Sequence, residues 1–325
     1  MQQLGLRKLT LDVPFFQAAL SGYSDWAMRK LAKEFHCPFA LTGEMLAQSV
    51  VIPKILRKDE FRPFEDEHPV GAQLLGKTPE TMALAARNLV AAGYDLIDLN
   101  YACPAPKVLR RGRGGALLLN PDLAIDILRA VREAVDCPVM IKLRVGNDHD
   151  PQRQACFWEI VERTLNEGVD ALVIHGRTVH EKYRGCADWS LLKRVKQTFP
   201  RATIVGSGDC FDAQETITRL RETGLDGFIA ARGAIGNPWF FQELRALFAG
   251  KPQPTPPDLN EQKEVMLHHL GMVIKLYPAA KGIGYFRKYA IGYARRHPQR
   301  KKTQMALMKA KTEEELRHAI GACYP

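Results

Sequence analysis

Tyr94-Asp95-Leu96-Ile97-Asp98-Leu99-Asn100 is a short apolar run that ends on a polar residue, and Tyr101-Ala102-Cys103-Pro104-Ala105-Pro106-Lys107-Val108 follows it directly. Such a run reads as a strand of a parallel sheet, buried on both faces. The loop beyond it, from Arg110 to Gly115, is basic and glycine-rich. Cys103 therefore stands just past the carboxyl end of a strand, where α/β proteins keep their chemistry. A thiol there could serve as a nucleophile or as an acid; the alternative is a core thiol.

Seven further runs have the same character, at residues 13–19, 39–43, 70–75, 139–144, 171–175, 203–207 and 227–231. Helical segments lie between them. Thr78-Pro79-Glu80 and Asn120-Pro121-Asp122 open two of these with an N-cap residue followed by proline. Eight strand–helix units in about 235 residues predict a closed (β/α)8 TIM barrel over residues 1–248; an open, doubly wound sheet is the runner-up. Lys251-Pro252-Gln253-Pro254-Thr255-Pro256-Pro257-Asp258 cannot continue a helix and reads as a stiff linker over residues 249–259. Residues 260–325 hold no strand candidate. Helices are expected at 260–277, 284–296 and 302–321, as a small all-helical C-terminal domain.

The formal net charge of +10 is unevenly placed. Residues 251–325 hold 14 Lys and Arg against 6 Asp and Glu, leaving 32 against 30 for the rest. This asymmetry points to a polyanionic partner such as nucleic acid, with interspersed Tyr and Phe as stacking surfaces; a solvated helix face is the alternative. The seven cysteines, at 37, 103, 137, 156, 186, 210 and 323, form no C-x-x-C pair. That irregular, odd set fits a reducing cytoplasm. No apolar run is long enough for a membrane span, and the start lacks a signal-peptide pattern. No H-x-x-x-H or H-E-x-x-H occurs, so no metal site is expected. His68 and the pair His268-His269 read as surface features.

Side chains alternate across a strand, which tests the polar residues by parity. Asp98 and Asn100 share a face, as do Lys142 and Arg144; Gln73 stands alone; His175 and Arg177 share a face if extension continues. If those faces point inward, they meet at the carboxyl-terminal mouth of one barrel. Burying a lysine and an imidazole without partners costs several kcal/mol, which a polar or anionic ligand would offset. Ser207-Gly208-Asp209 and Ala231-Arg232-Gly233 end the last two strands with small residues that let backbone amides approach a phosphate. A phosphate site with Lys, His, Gln and Asn around one pocket suits flavin mononucleotide (FMN). Rival readings are an FMN barrel enzyme acting on a small enone or dihydropyrimidine, and a non-catalytic RNA-binding protein.

These motifs resemble the dihydrouridine synthase family, flavoenzymes that reduce uridine in RNA. The resemblance runs from about residue 16 to 298. It rests on Asp98-Leu99-Asn100-Tyr101-Ala102-Cys103-Pro104, Gly114-Gly115-Ala116-Leu117-Leu118, Lys142-Leu143-Arg144-Val145-Gly146, His175-Gly176-Arg177-Thr178 and Arg232-Gly233-Ala234-Ile235-Gly236-Asn237-Pro238. Departures exist. Ala18-Ala19-Leu20-Ser21-Gly22-Tyr23-Ser24-Asp25 stands for the family's Ala-Pro-Met-x-Gly-x-Thr-Asp. Ser207-Gly208-Asp209 stands for Asn-Gly-Asp, and Ala102-Cys103-Pro104 for Gly-Cys-Pro.

The resemblance implies that NADPH reduces FMN, that hydride passes to uracil C6, and that Cys103 protonates C5. It implies FMN contacts from Ala18, Gln73, Lys142, His175, Ser207, Gly208, Asp209, Ala231, Arg232 and Gly233. It implies substrate contacts from Asn100, Lys107, Arg144 and Arg177, and from the tail through Arg287, Lys288, Arg295 and Arg296. Transfer RNA is the expected partner, ribosomal RNA the alternative, with the chain acting as a cytoplasmic monomer. Lys107 and Arg110 to Arg113 are expected to lower the Cys103 pKa.

Overall fold

The computed structural model describes residues 3–57 and 63–325. The chain opens on an antiparallel hairpin, β1 (Leu4–Leu6) and β2 (Leu9–Leu11). Then follow β3 (Phe15–Gln17), α1 (Trp26–Glu34), β4 (Ala40–Leu41), β5 (Met45–Leu46), α2 (Ala47–Val50), α3 (Pro53–Leu56), β6 (Val70–Leu75), α4 (Pro79–Ala91), β7 (Leu96–Asn100), α5 (Pro106–Leu109) and α6 (Pro121–Ala134). Next come β8 (Val139–Arg144), α7 (Pro151–Asn166), β9 (Ala171–His175), α8 (Trp189–Thr198), β10 (Ile204–Ser207), α9 (Ala213–Thr223), β11 (Gly227–Ala230) and α10 (Trp239–Phe248). Four helices complete the chain: α11 (Leu259–Leu276), α12 (Ala279–Ala294), α13 (Arg300–Lys309) and α14 (Glu313–Cys323).

Eight parallel strands close into a barrel in the order β3, β4, β6, β7, β8, β9, β10, β11 and back to β3. The fold is a TIM barrel followed by a helical tail. Its second strand is interrupted: β4 pairs with Val70 and Gly71 of β6, and β5 resumes against Leu74 and Leu75. Residues 42–44 fill the break. The barrel interior is a compact apolar plug of Phe16, Phe39, Leu41, Leu96, Met140, Ala171, Val173, Val205 and Ile229. The opening hairpin closes the floor with Leu4, Leu6 and Leu11. Above this layer the inward faces turn polar.

The helix starts are fixed by their caps. The carboxylates of Asp25, Asp150, Asp188, Asp212 and Asp258 accept from amides in the first turns of their helices, each contact being worth about 1 kcal/mol. The expected single helix at 302–321 is two helices. The chain breaks at 310–312 because Thr312 caps α14 through the Glu315 amide, with three glutamates in the first turn. The linker carries no regular element between Phe248 and Leu259. No helix among the described residues is long and apolar enough to cross a membrane.

The tail lies on the barrel through contacts that need glycine. A Cβ at Gly292 of α12 would stand 1.8 Å from the Ile235 carbonyl oxygen, and one at Gly236, where φ is +59°, would stand 2.5 Å from the Tyr289 oxygen. Arg296 Nε donates to Asn237 Oδ1 at 3.0 Å and its Nη2 to Glu243 at 2.6 Å. Trp239 Nε1 donates to Glu261 at 2.7 Å.

His269 departs from the surface placement expected of it. It is buried, with Nδ1 2.9 Å from the Tyr293 hydroxyl and its ring against Tyr289 and Phe286. Burial pushes its pKa down to about 3, and His268 adds to the effect. The native pKa thus lies below the unfolded value near 6.5. Above that pH the imidazole is neutral in both states. Below it, the unfolded chain binds a proton that the native chain refuses, and stability falls by about 1.4 kcal/mol per pH unit. The thermal midpoint of the wild type should therefore drop more steeply between about pH 6 and 4 than that of His269→Gln; parallel slopes would locate the acid sensitivity elsewhere.

Candidate active site

Register brings the polar residues together. Gln73 lies opposite Asp98, Asn100 opposite Lys142, Arg144 opposite His175, and His175 opposite Ser207. Cα partners in a parallel ladder point to the same face, so these side chains form a belt at the mouth of the barrel. The belt is hydrogen-bonded in sequence. Gln73 Nε2 donates to Asp98 Oδ2 at 2.7 Å; Asn100 Nδ2 donates to Gln73 Oε1 at 2.9 Å and to Glu44 Oε2 at 3.2 Å. Asn100 Oδ1 accepts from the amides of Ala102 and Cys103 at 3.0 and 2.9 Å. The side chain that ends the fourth barrel strand thereby sets the course of the cysteine loop. Gly114 seals it from behind: with φ at +57°, a Cβ there would fall 2.9 Å from Cys103 Cβ.

Above the belt is a cavity of about 840 Å³, open at one end. Ala18, Gln73, Asn100, Cys103, Lys142, Arg144, His175, Ser207, Gly208, Asp209, Ala231, Arg232 and Gly233 all line it. So do Ala19 and Leu20, where the sequence departs from the family pattern. Glu44, Tyr183 and Phe211 also line it and were not singled out from the sequence. Glu44 had no parity signal because it sits in the break of the second strand.

The electrostatics separate the roles. Burial raises Asp98 and lowers Lys142, and the two face one another, which restrains both shifts. Asp98 Oδ1 is buried without a hydrogen-bond partner. Burial and the cations of Lys142, Arg144, Arg177 and Arg232 hold His175 neutral, well below its ordinary pKa. Arg177 Nη1 lies 3.3 Å from His175 Nε2. A guanidinium only donates, so Nε2 accepts and the ring proton sits on Nδ1.

Cys103 reverses one expectation. Burial and the Glu44 carboxylate push its thiol up to about 11, against smaller opposing effects from the Ala105 amide and Arg144. The basic loop does not lower it. Lys107 is exposed on α5 and outside the cavity lining, and Arg113 is turned to Gln48 Oε1 at 2.8 Å. A thiol of this kind stays protonated at neutral pH. It can act as an acid and is poorly suited to act as a nucleophile.

Both glycine loops are packed closely against neighbouring protein. A Cβ on Gly208 would lie 2.6 Å from Ala187 Cβ, and one on Gly233 would lie 2.1 Å from the Cys210 oxygen. Asp209, expected to face a phosphate, has its carboxylate turned away. It accepts from Arg177 Nη2 at 2.7 and 2.9 Å, from the Ala187 amide at 2.8 Å and from Arg232 at 3.4 Å.

Arg177 is likewise not a surface for substrate. It is 2% exposed, lies outside the cavity lining and donates to the Arg184 and Gly185 carbonyls at 2.9 and 2.6 Å. Arg144 commits Nε to Ala102 and Nη1 to the Thr178 and Lys182 carbonyls, which leaves Nη2 for the cavity it lines. Its guanidinium carbon is 5.6 Å from the centre of the exposed Tyr183 ring, and that of Arg232 is 4.7 Å from the same ring.

The tail cations divide. Arg287 donates to the Met308 and Ala310 carbonyls at 3.3 and 3.2 Å, and Arg296 is paired with Glu243. Both hold the tail together or hold it to the barrel, instead of facing a partner. Lys288 lies 4.0 Å from the centre of the Tyr285 ring and 3.3 Å from the Gly22 oxygen. Arg295 is exposed, 5.9 Å from the centre of the Phe211 ring at the cavity. Lys281, Arg300, Lys301 and Lys302 are exposed as well. No group of three or more His, Cys, Asp or Glu that could hold a metal ion occurs among the described residues.

The profile of the dihydrouridine synthase family matches residues 16–323, which takes in both the barrel and the tail. The chain belongs to the dihydrouridine synthase family. It is an oxidoreductase of that type. A probable tRNA-dihydrouridine synthase of Mycobacterium tuberculosis is 36% identical over 326 residues, covering 96% of this chain and 82% of the relative. tRNA-dihydrouridine synthase B of Shewanella oneidensis is 34% identical over 287 residues and 87% of either chain. The fold is shared more widely. A 2-naphthoyl-CoA reductase superposes with a TM-score of 0.60 at 12% identity, over 77% of this chain and 52% of its own. Histamine dehydrogenase from Rhizobium sp. 4-9 does so with 0.58 at 15% identity, over 83% and 50%. The chain spans about half the length of those two structures, and the likeness to them is one of fold.

Proposed function

We propose that the chain reduces the C5=C6 bond of a uridine in tRNA to 5,6-dihydrouridine, with FMN held in the barrel mouth, NADPH as reductant and Cys103 as the acid. The observation that carries this reading is the placement of the Cys103 thiol beside Glu44 in a cavity also lined by Gln73, Asn100, Lys142 and His175. The names of the relatives support tRNA as the substrate.

The residues present fit FMN. Lys142 is a half-buried, desolvated cation whose facing carboxylate, Asp98, keeps one oxygen unpartnered, and an acceptor-rich ring edge would offset that desolvation. Gly208, Gly233 and Arg232 line the cavity together, and this end of it would take the phosphate on backbone amides and the guanidinium. When bound, FMN supplies the hydride that reaches uracil C6. Lys142 and Gln73 hold the pyrimidine edge of the flavin. Neutral His175 offers a hydrogen bond without adding charge. Arg144 faces the base through Nη2 and stabilises negative charge growing on it. Asn100 fixes the Cys103 loop so that the thiol proton is aimed at C5.

A stacked base must be splayed out to enter, and the exposed Tyr183 and Phe211 rings at the rim offer it stacking surfaces. Lys281, Arg295 and the run Arg300 to Lys302 are the tail cations that reach for phosphate. The test is direct. Purified protein should be yellow, bleach with NADPH and form dihydrouridine on unmodified tRNA. Lys142→Ala should lower FMN retention by roughly ten- to a hundredfold, the loss expected for one charged contact to a cofactor. Equal flavin absorbance per protein in the variant would remove Lys142 from the cofactor site.

A further inference from the structure

We propose that Glu44 keeps the Cys103 thiol protonated and returns a proton to it after each turnover, drawing that proton from a second groove behind the active site. The proposal rests on the assignment of Cys103 as the acid.

Glu44 is placed as a partition. It lines the active-site cavity and also a separate groove of about 690 Å³ between residues 22–26, residues 42–45 and the tail residues Leu276, Tyr277 and Tyr285. That groove offers Ser24, Asp25 and Thr42 as polar walls, the kind of lining that holds water. A splayed base would fill the mouth of the main cavity during reaction. The groove is then the route by which solvent reaches the thiol.

The contacts tie Glu44 to the cysteine from two sides. Glu44 and Cys103 line the same cavity, and the Glu44 carboxylate is the neighbouring charge that most favours the protonated thiol. Asn100 grips both residues, donating to Glu44 Oε2 at 3.2 Å and accepting the Cys103 amide at 2.9 Å. The charged groups facing the thiol are Glu44 from the strand break and Lys142 and Arg144 from β8. The two cations favour thiolate, and Glu44 is the group that opposes them.

The proton balance calls for such a group. Uridine reduction takes a hydride at C6 and a proton at C5. When the S–H bond breaks and the proton passes to C5, a thiolate remains. It must regain one proton from water before the next turnover. The Glu44 carboxylate accepts a proton from hydronium or water in the groove and releases one to Sγ. Glu44 ends each cycle as it began, and no further oxidant or reductant enters. Because Glu44 acts through Cys103, it is a positioning residue.

The experiment compares the full-length wild type with Glu44→Gln and Glu44→Asp. Alkylation of Cys103 by iodoacetamide, followed peptide by peptide across pH, reads the thiol without any turnover. Removing the negative charge should make Cys103 in Glu44→Gln react roughly tenfold faster near pH 8. Steady-state dihydrouridine formation should fall at least tenfold at unchanged FMN content and unchanged rate of flavin reduction by NADPH, with partial recovery in Glu44→Asp. An unchanged alkylation profile overturns the coupling of Glu44 to Cys103. A shifted profile with undiminished turnover overturns the proton supply. If the wild type forms no dihydrouridine, the functional assignment fails, while the alkylation comparison still decides whether Glu44 governs the thiol.

Discussion

Cys103→Ala should bind FMN, accept electrons from NADPH as fast as the wild type, and form dihydrouridine slower by about two to four orders of magnitude, the usual contribution of a positioned acid. The expectation follows from the thiol's surroundings. Burial and Glu44 hold the proton on sulfur, and the Asn100 carbonyl fixes the loop through two amides. Alanine keeps both amide contacts, so the loop and cavity should persist. Single-turnover formation of dihydrouridine by pre-reduced enzyme isolates the proton step from flavin reduction. Undiminished product in that assay would show that the proton comes from elsewhere.

The second large effect is expected from a residue that touches no ligand. Arg177→Ala removes a guanidinium that binds both oxygens of Asp209, two carbonyls of the 184–185 turn and His175 Nε2. Breaking an ion pair whose cation is 2% exposed leaves the Asp209 carboxylate with only the Ala187 amide and the more distant Arg232, at a cost of about 3–5 kcal/mol. The thermal midpoint should fall by roughly 5–10 °C. FMN retention should fall with it, because Gly208 and Asp209 line the cavity in which FMN is proposed to sit. Arg177→Lys should recover only part of the loss, since an ammonium cannot match the planar fork. Unchanged melting and flavin content in Arg177→Ala would mean that the network is decorative.

Much of this site was legible in the sequence because strand parity is strict. Lys142 with Arg144, Asp98 with Asn100, and His175 all point inward as alternation requires. Arg177 escaped because alternation stopped one residue too soon. The strand ends at His175, the Arg177 amide folds back onto the His175 carbonyl at 2.8 Å, and a Cβ at Gly176 would stand 2.8 Å from the Asp188 amide. The opening hairpin escaped because Leu4, Leu6 and Leu11 are too few to signal strands until the barrel floor offers them a surface. Net charge marked the tail as basic. It could not show that Arg287 and Arg296 are committed to carbonyls and to Glu243, since pairing is a property of the fold. Glu44 was invisible for a related reason: an interrupted strand has no period to read.

The contact between Gly292 and the Ile235–Gly236 turn fixes how the helical tail sits on the barrel, and so bears on the proposed reading of RNA. That turn follows directly on the Arg232-Gly233 loop of the cavity, and side-chain-free backbones meet there with no lever arm between them. The tail has no slack about which to swivel. Under the proposed function its outward cations would form a rigid caliper, set at a fixed span from the thiol, and a different target nucleotide would call for a differently placed set of cations instead of a rotated helix bundle.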